Sequence, residues 1–167
     1  MTCWWQALFE GDVAKVQIFI RYNIDMYLTH EHRRSALHYV CWGGSTTGHL
    51  RILRILLERG ADIHALDEFE NTPLHLAAYC GYKTMCRKLL ESGASLKRFN
   101  LNSRRPIDTA LHWKRFEVYR LLVSWNAAKH WRDLTRRRKK YKERRTLLKI
   151  WYRKGLSCEF KNLACWI

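Results

Sequence analysis

Residues 71–94 read NTPLHLAAYCGYKTMCRKLLESGA, and the reading of this stretch decides the fold. A Thr72-Pro73 pair is followed by apolar residues at helical spacing, then by Gly81, a second apolar run ending in Leu89-Leu90, and Gly93. Thr72 is a good helix N-cap, because its hydroxyl can accept from an otherwise unpaired backbone N–H, and Pro73 suits the first helical position, where no N–H is needed. Gly81 breaks this helix. Met85, Cys86, Leu89 and Leu90 then form an apolar stripe of helical period, and Gly93 supplies the left-handed residue that ends the second helix. Such a pair of helices is too small to bury its own apolar faces and needs neighbours stacked against it.

Sliding the sequence on itself supplies those neighbours. Pro73 lands on Pro106, Ala77 on Ala110, Leu89-Leu90 on Leu122-Val123 and Ala94 on Ala127, each 33 residues on. Backwards at the same step, Leu89-Leu90 and Gly93-Ala94 land on Leu56-Leu57 and Gly60-Ala61. Ser35-Ala36-Leu37-His38 matches Thr72-Pro73-Leu74-His75 only at a step of 37, so four extra residues lie inside the earlier copy, where GGSTTGH at 43–49 replaces CGYK at 80–83. A weaker copy precedes it, with Trp4, Ala7, Gly11, Phe19-Ile20 and Asp25 in matching places. The chain therefore divides into copies near 1–28, 29–66, 67–99 and 100–130, followed by an extension over 131–167.

A 33-residue period with Thr-Pro-Leu-His-x-Ala-Ala and a closing Leu-Leu-x-x-Gly-Ala closely resembles the ankyrin repeat. The resemblance covers 1–130, is near consensus over 67–99, is good over 29–66 apart from its insertion, and is degraded in the two terminal copies. It implies an all-α solenoid in which helix-turn-helix pairs are joined by β-hairpin-like loops. It also implies that His38 and His75 hydrogen-bond between neighbouring units. Arg33, Glu70 and Ser103 stand where the family usually has the Gly of the hairpin turn, so each is expected to strain or shift its tip. Arg105 replaces the capping Thr before Pro106 and Asp108 replaces the His, which makes the 100–130 copy the weakest.

Composition fits one elongated repeat domain with a tail, at 47% hydrophobic residues over 167 residues. No apolar run approaches the ~18 residues of a membrane helix, and the opening MTCWWQALFEGD lacks the basic region and apolar core of a secretory signal. The expected location is intracellular, in cytoplasm and/or nucleus. Cys3, Cys41, Cys80, Cys86, Cys158 and Cys165 show no paired framework and read as reduced thiols, in keeping with that compartment.

Charge is unevenly placed. Residues 127–167 carry 14 Lys/Arg and three Asp/Glu, a net +11, against a net +5 for residues 1–126. The core of the extension, KHWRDLTRRRKKYKERRTLLKIWYRK from Lys129 to Lys154, has no Gly or Pro and is half an amphipathic helix: Leu134, Tyr141 and Leu148 recur every seven residues near Trp131 and Trp151, while Arg138 and Arg145 interrupt the seam. Four readings compete for it. It is a basic helix capping the last repeat through Trp131 and Leu134. Or it is an address read by a nuclear import receptor, centred on Arg136, Arg137, Arg138, Lys139 and Lys140 with Lys142, Arg144 and Arg145 beside them. Or it binds nucleic acid or an acidic surface, since interleaved Trp and Tyr suit bases and phosphates. The last reading comes from the resemblance: a ubiquitin-ligase adaptor box follows the repeats in one ankyrin family, and Thr146-Leu147 could begin it, although Trp151 stands where its Cys is expected.

Catalytic signals are weak. His30, His32 and His38 are the nearest histidine cluster, without the His-x-x-x-His pair of zinc enzymes, and no Cys-x-x-Cys is present. Gly43-Gly44-Ser45-Thr46-Thr47-Gly48 lacks the Lys of a phosphate-binding loop and reads as a flexible connection between helices. No enzyme activity, metal or cofactor is expected.

Binding is expected instead, and the resemblance says where: on the concave surface made by the hairpin tips and the outward face of each inner helix. One repeat position holds Phe9, Trp42, Tyr79 and His112 in turn, an aromatic ladder with Trp113 beside it and Tyr39 and Leu76 on the same helices. Trp and Tyr dominate interface energies and lose little entropy on binding; packing between neighbouring inner helices is the competing use of the same rings. The tips add Glu31, His32 and Arg34, then Glu68, Phe69 and Asn71, then Leu101, Asn102 and Arg104. Arg33-Arg34 and Arg104-Arg105 make the outer tips basic, and Glu68 and Glu70 make the middle one acidic, which suits a partner of both signs or an acidic segment reaching the outer tips. The expected function is a non-catalytic protein-interaction module binding another protein, a regulator or inhibitor of signalling. Short ankyrin proteins resembling the NF-κB inhibitor family are one specific form of it.

Overall fold

The computed structural model describes residues 4–25, 28–128, 135–136 and 139–140. Seven helices are α1 (Trp4–Glu10), α2 (Val13–Arg21), α3 (Ala36–Gly43), α4 (Thr47–Glu58), α5 (Pro73–Cys80), α6 (Lys83–Glu91) and α7 (Pro106–His112). An eighth, α8, is helical over 116–128. No strand occurs among the described residues, apart from an isolated bridge between His30 and Arg34. The chain is an all-α solenoid. Met1–Asn126 form one compact unit, and Ala127–Ile167 are grouped separately from it.

The helices pair as the apolar stripes require. Inner helices α1, α3, α5 and α7 stack in sequence, and α2, α4 and α6 each pack on their own inner partner. Leu8, Leu37 and Leu74 lie fully buried along the inner layer; Val16, Ile52, Leu53, Leu56, Met85, Leu89 and Leu122 fill the layer behind it. Replacing any of these leucines with Ala is of the kind that costs about 2–5 kcal/mol, through lost burial and the cavity left behind.

The 33-residue frame shows in the backbone. The turn between paired helices is left-handed at Gly11 (φ +75°), Gly81 (+88°) and, in the last copy, Lys114 (+56°). Outer helices end on left-handed Asn23, Gly60 and Gly93. Asn126 occupies the next such place but stays helical, so α8 runs on through 128. In that copy Leu111 and Val123 are exposed, whereas the equivalent Ala78 and Leu90 are buried.

The segment over 43–49 is not the flexible connection that its glycines and hydroxyls suggest. Its last residues add a turn to α4, which begins at Thr47, and His49 is buried. Thr46 caps the helix, its Oγ1 lies 2.7 Å from His49 Nδ1, and His49 Nε2 donates to the Phe9 carbonyl at 2.9 Å. The surrounding glycines leave room only for this ring: a Cβ on Gly11 or Gly44 would stand 2.6 or 2.7 Å from the imidazole, and one on Gly43 would stand 2.1 Å from the Phe9 oxygen. The insertion locks the first copy to the second.

Candidate functional site

Three tips project from the array on a shared frame, the first differing from the others by a second left-handed residue, His32 at φ +58°. The N–H groups of His30, Asp67 and Asn100 donate to the carbonyls of Arg34, Asn71 and Arg104 at 3.0, 3.1 and 3.0 Å. Arg33, Glu70 and Ser103, at the family's Gly position, all adopt left-handed φ of +54° to +56°. Asp67 and Asn100 hold their tips from inside: the Asp67 carboxylate accepts from the N–H of Phe69 and Asn71, and the Asn100 side-chain oxygen accepts from those of Asn102 and Arg104. Successive tips are joined by Glu68 N–H to the His32 carbonyl and Leu101 N–H to the Phe69 carbonyl, and the Asn100 amide donates to Asn71 Oδ1 at 2.8 Å.

Histidines tie the inner helices to these tips. His75 Nδ1 accepts from the Thr72 N–H at 3.1 Å, and its Nε2–H donates to the Arg104 carbonyl in the next tip at 3.1 Å. His38 repeats the arrangement, with Nε2 2.9 Å from the Asn71 carbonyl. Both rings are neutral: burial pushes the His75 pKa down to about 4, against the opposing pull of its bond to the Arg104 carbonyl, and burial lowers His38 likewise. In the last copy the Arg105–Asp108 pair does the local part of this work. Asp108 accepts from the Arg105 N–H at 3.0 Å and from both arms of the guanidinium at 2.8 and 3.1 Å. The hydrogen bonds from Arg105 hold the Asp108 carboxyl below its usual range. Asp108 has no N–H to pass onward, and no further tip follows it among the described residues.

Along the inner helices lies the aromatic row. Phe9, Trp42, Tyr79 and Trp113 are 42, 37, 39 and 45% exposed. Phe9 meets Trp42 edge-on at 5.6 Å between ring centroids, Tyr79 meets Trp113 at 4.7 Å, and the exposed His112 meets Trp113 at 5.3 Å. Each ring is half committed to its neighbour and half available to a partner. Two expected surface residues are placed differently. Tyr39 is only 6% exposed, drawn in by Trp5 and by a 2.7 Å bond from its hydroxyl to His30 Nδ1. Leu76 is 8% exposed and forms part of the floor between the rings.

Trp42, Tyr79 and Trp113 surround a cleft of about 260 Å³ with Leu76, Thr109, Asn71, Asn100, Asn102, Arg34 and Arg104. The tip residues expected at the site divide here. Arg34, Asn71, Asn102 and Arg104 line the cleft; Glu31, His32, Glu68, Phe69 and Leu101 are exposed on the tips outside its lining. His32 contacts the Glu68 carboxylate and Phe69, binding the first and second tips together. Asn100 belongs to the cleft but carried no binding signal of its own in the sequence; its position 33 residues after Asp67, at the start of a tip, is the clue that finds it. A larger groove of about 720 Å³ runs between α4 and α6 on the opposite side, lined by Leu50, Leu53 and Leu57 among Arg51, Arg54, Glu58, Lys88 and Glu91. It lacks aromatic anchors.

Chemically reactive groups are not assembled in this face. Burial raises the thiol pKa of Cys41 well above its ordinary value and that of Cys86 to about 12, so both are poor nucleophiles near neutral pH. Among the described residues no three His, Cys, Asp or Glu side chains could together hold a metal ion, and no helix is long and apolar enough to cross a membrane. In the basic extension Thr135, Arg136, Lys139 and Lys140 are helical and exposed. Arg137, Arg138, Lys142, Arg144, Arg145, the Leu134–Tyr141–Leu148 seam and the box at Thr146-Leu147 lie outside the described residues.

Stacked helical hairpins with aligned tips and one aromatic inner face define a repeat-array binding protein. The family model for ankyrin repeats in three copies matches residues 3–100 and 45–133. The chain belongs to the ankyrin-repeat family. It is 34% identical over 100 residues to protein phosphatase 1 regulatory subunit 27 of Homo sapiens, a match covering 59% of this chain and 62% of that protein. It is 30% identical over 121 residues to a Caenorhabditis elegans homologue of transient receptor potential cation channel subfamily A member 1, covering 71% of this chain and 10% of the channel. It is 39% identical over 70 residues to oxysterol-binding protein-related protein 1 of Rattus norvegicus, covering 41% of this chain and 7% of that protein. The chain thus spans under two thirds of the length of each relative.

Proposed function

We propose that this chain is a non-catalytic interaction module that binds and regulates another protein through the aromatic face of its inner helices. The observation that carries this reading is the row of half-exposed rings, Phe9, Trp42, Tyr79 and Trp113, the last three of which border one cleft. Large rings held by their neighbours present area at low entropic cost, the property that concentrates binding energy in aromatic residues. The similarity to a phosphatase 1 regulatory subunit supports a regulatory role and makes the phosphatase catalytic subunit the first purified partner to test. The site of action under this proposal is intracellular, in cytoplasm or nucleus, with residues 1–130 as the binding domain and the basic extension over 131–167 as an address or a supporting element.

The test is affinity capture from nuclease-treated lysate, with purified phosphatase alongside, using the full chain, a Trp42→Ala/Tyr79→Ala variant and a chain ending at Ala128. Partners common to the first and third but lost from the second are the expected result, with the variant melting close to the parent. Capture that survives both ring replacements sinks the groove as the site. The net +11 of residues 127–167 supports a second reading, binding of nucleic acid by the extension; capture that needs the extension and falls steeply with salt would favour it.

A further inference from the structure

The charges around the aromatic cleft are not balanced. Of the carboxylates near the tips, Asp67 is held by the amides of its own tip, Glu68 by His32 and Asp108 by Arg105, while Glu31 and Glu70 are exposed on the tips outside the cleft lining. No carboxylate lines the cleft, and two guanidinium groups do, those of Arg34 and Arg104. Neither Arg34 nor Arg104 forms an ion pair among the described residues. Arg34 lies over the Trp42 ring, its guanidinium carbon 4.3 Å from the ring centroid, and its Nε is buried with no hydrogen-bond partner. A buried donor on a charged group without an acceptor is costly, and the natural complement to a planar guanidinium is a carboxylate accepting two parallel N–H bonds. The ring beneath holds the fork in place, so little freedom is lost when an acceptor arrives.

Resting on the groove reading above, we propose that the cleft recognises an extended acidic segment of the partner protein. An Asp or Glu carboxylate of that segment engages Arg34 and Arg104, and an adjacent apolar side chain enters between Trp42, Tyr79 and Trp113. Asn102, exposed in the cleft lining, would meet peptide groups between these two anchors, whereas the Asn71 amide is held by Asp67 and Asn100. Apolar anchor and charge are then read together, and a neutral segment that filled the cleft would leave the Arg34 donor unsatisfied. That is discrimination by an unpaired group rather than by shape.

Random dodecapeptides displayed on phage and selected on the full chain test this, with parallel selections on Arg34→Gln/Arg104→Gln and on Trp42→Ala/Tyr79→Ala, each first checked for a parent-like melting curve. Arg34→Lys/Arg104→Lys, which keeps the charge but not the fork, replaces the Gln pair if that pair fails to fold. Peptides with an Asp or Glu within a few positions of an aromatic or aliphatic residue are expected to dominate the parent pool. The acid preference should vanish on the Arg variant, and binding of the pool as a whole should vanish on the ring variant. In solution, a selected peptide should lose at least about tenfold in affinity when its acid is changed to the amide. Acidic peptides enriched equally on the Arg variant would assign the preference to the basic extension and overturn the proposal. A pool without acids that still needs Trp42 and Tyr79 would overturn it too, leaving the groove reading intact. A pool indifferent to the rings, or no enrichment at all, would remove both.

Discussion

Adjacent copies make the turn between their two helices in different ways. In the 67–99 copy one left-handed residue, Gly81, suffices, and α6 follows after a short connection. In the 29–66 copy the equivalent Gly44 is extended, with φ of 170°; of the four extra residues one lengthens the connection and three lengthen α4, which has 12 residues against 9 in α6. The reversal there depends on contacts with another copy: His49 reaching Phe9, and four glycines, Gly11, Gly43, Gly44 and Gly48, making space for the approach. The difference teaches that repeat register constrains the buried faces and the tips, while a turn on the outer side can change length if it brings its own cap and partner.

One added methyl group should cost far more at Gly43 than at Gly93. Gly43→Ala drives a Cβ into the Phe9 backbone and should cost about 3 kcal/mol or more, at the upper end of overpacking effects. Gly93→Ala meets nothing within 4 Å and suffers only from its φ of +98°, so its cost should be about 1–2 kcal/mol. Urea midpoints of the two variants decide the matter, and equal losses would show that the lock at Gly43 contributes nothing special.

A smaller effect separates the histidine-tied copies from the last one. His75 is held neutral with a pKa of about 4, against an ordinary value of 6.5. Between these values the unfolded chain binds more protons than the folded one, so stability falls as pH falls through this window and levels off below about 4. From near pH 7 to pH 5 the loss from His75 alone should be about 2 kcal/mol, with His38 acting in the same direction. A His75→Gln variant, measured by urea titration at both pH values, should show a visibly flatter dependence. The Arg105–Asp108 pair does not titrate in this window, because its carboxyl is held below the ordinary 3.8.

The smallest effect concerns the tips. Glu70→Gly relieves a left-handed non-glycine residue at φ +56° and should raise stability by up to about 1 kcal/mol, part of the gain being offset by the freer unfolded chain. A rise of a few degrees in melting temperature is the expected reading, and a fall would mean that the Glu70 side chain makes a contribution larger than the strain.

The repeat and its faces were legible because periodicity records which side of a helix is buried, and because Thr72-Pro73 and Gly81 punctuate the backbone locally. The strained tip positions Arg33, Glu70 and Ser103 were legible for the same reason, by register. What escaped depended on contacts between copies. His49 sits three residues after a hydroxyl in Thr46-Thr47-Gly48-His49, the spacing of Thr72 and His75, yet the six glycines and hydroxyl residues in a row at 43–48 read as a loose loop until Phe9 is seen behind them. Tyr39 lies one residue after a helix-capping histidine, on a face that periodicity leaves ambiguous, and only the nearby His30 and Trp5 settle its burial. Charge at the cleft itself was not legible: Glu68 and Glu70 make the middle tip acidic in sequence, but both stand outside the cleft lining, whose charged residues are Arg34 and Arg104.

The lock around His49 also bears on exchange of copies by recombination. A 67–99 copy meets its neighbours through contacts that recur along the array, so a similar unit could replace it with its tips and histidine intact. The first two copies share one imidazole and a set of glycines divided between them, Gly11 on one side and Gly43, Gly44 and Gly48 on the other. Excising the extra residues to restore the common spacing would strand Gly11 beside a void, and transplanting either copy alone would separate the ring from the carbonyl it serves. Copies 1–28 and 29–66 therefore depend on each other physically, and the smallest portable piece that keeps the ring with its carbonyl is a double repeat.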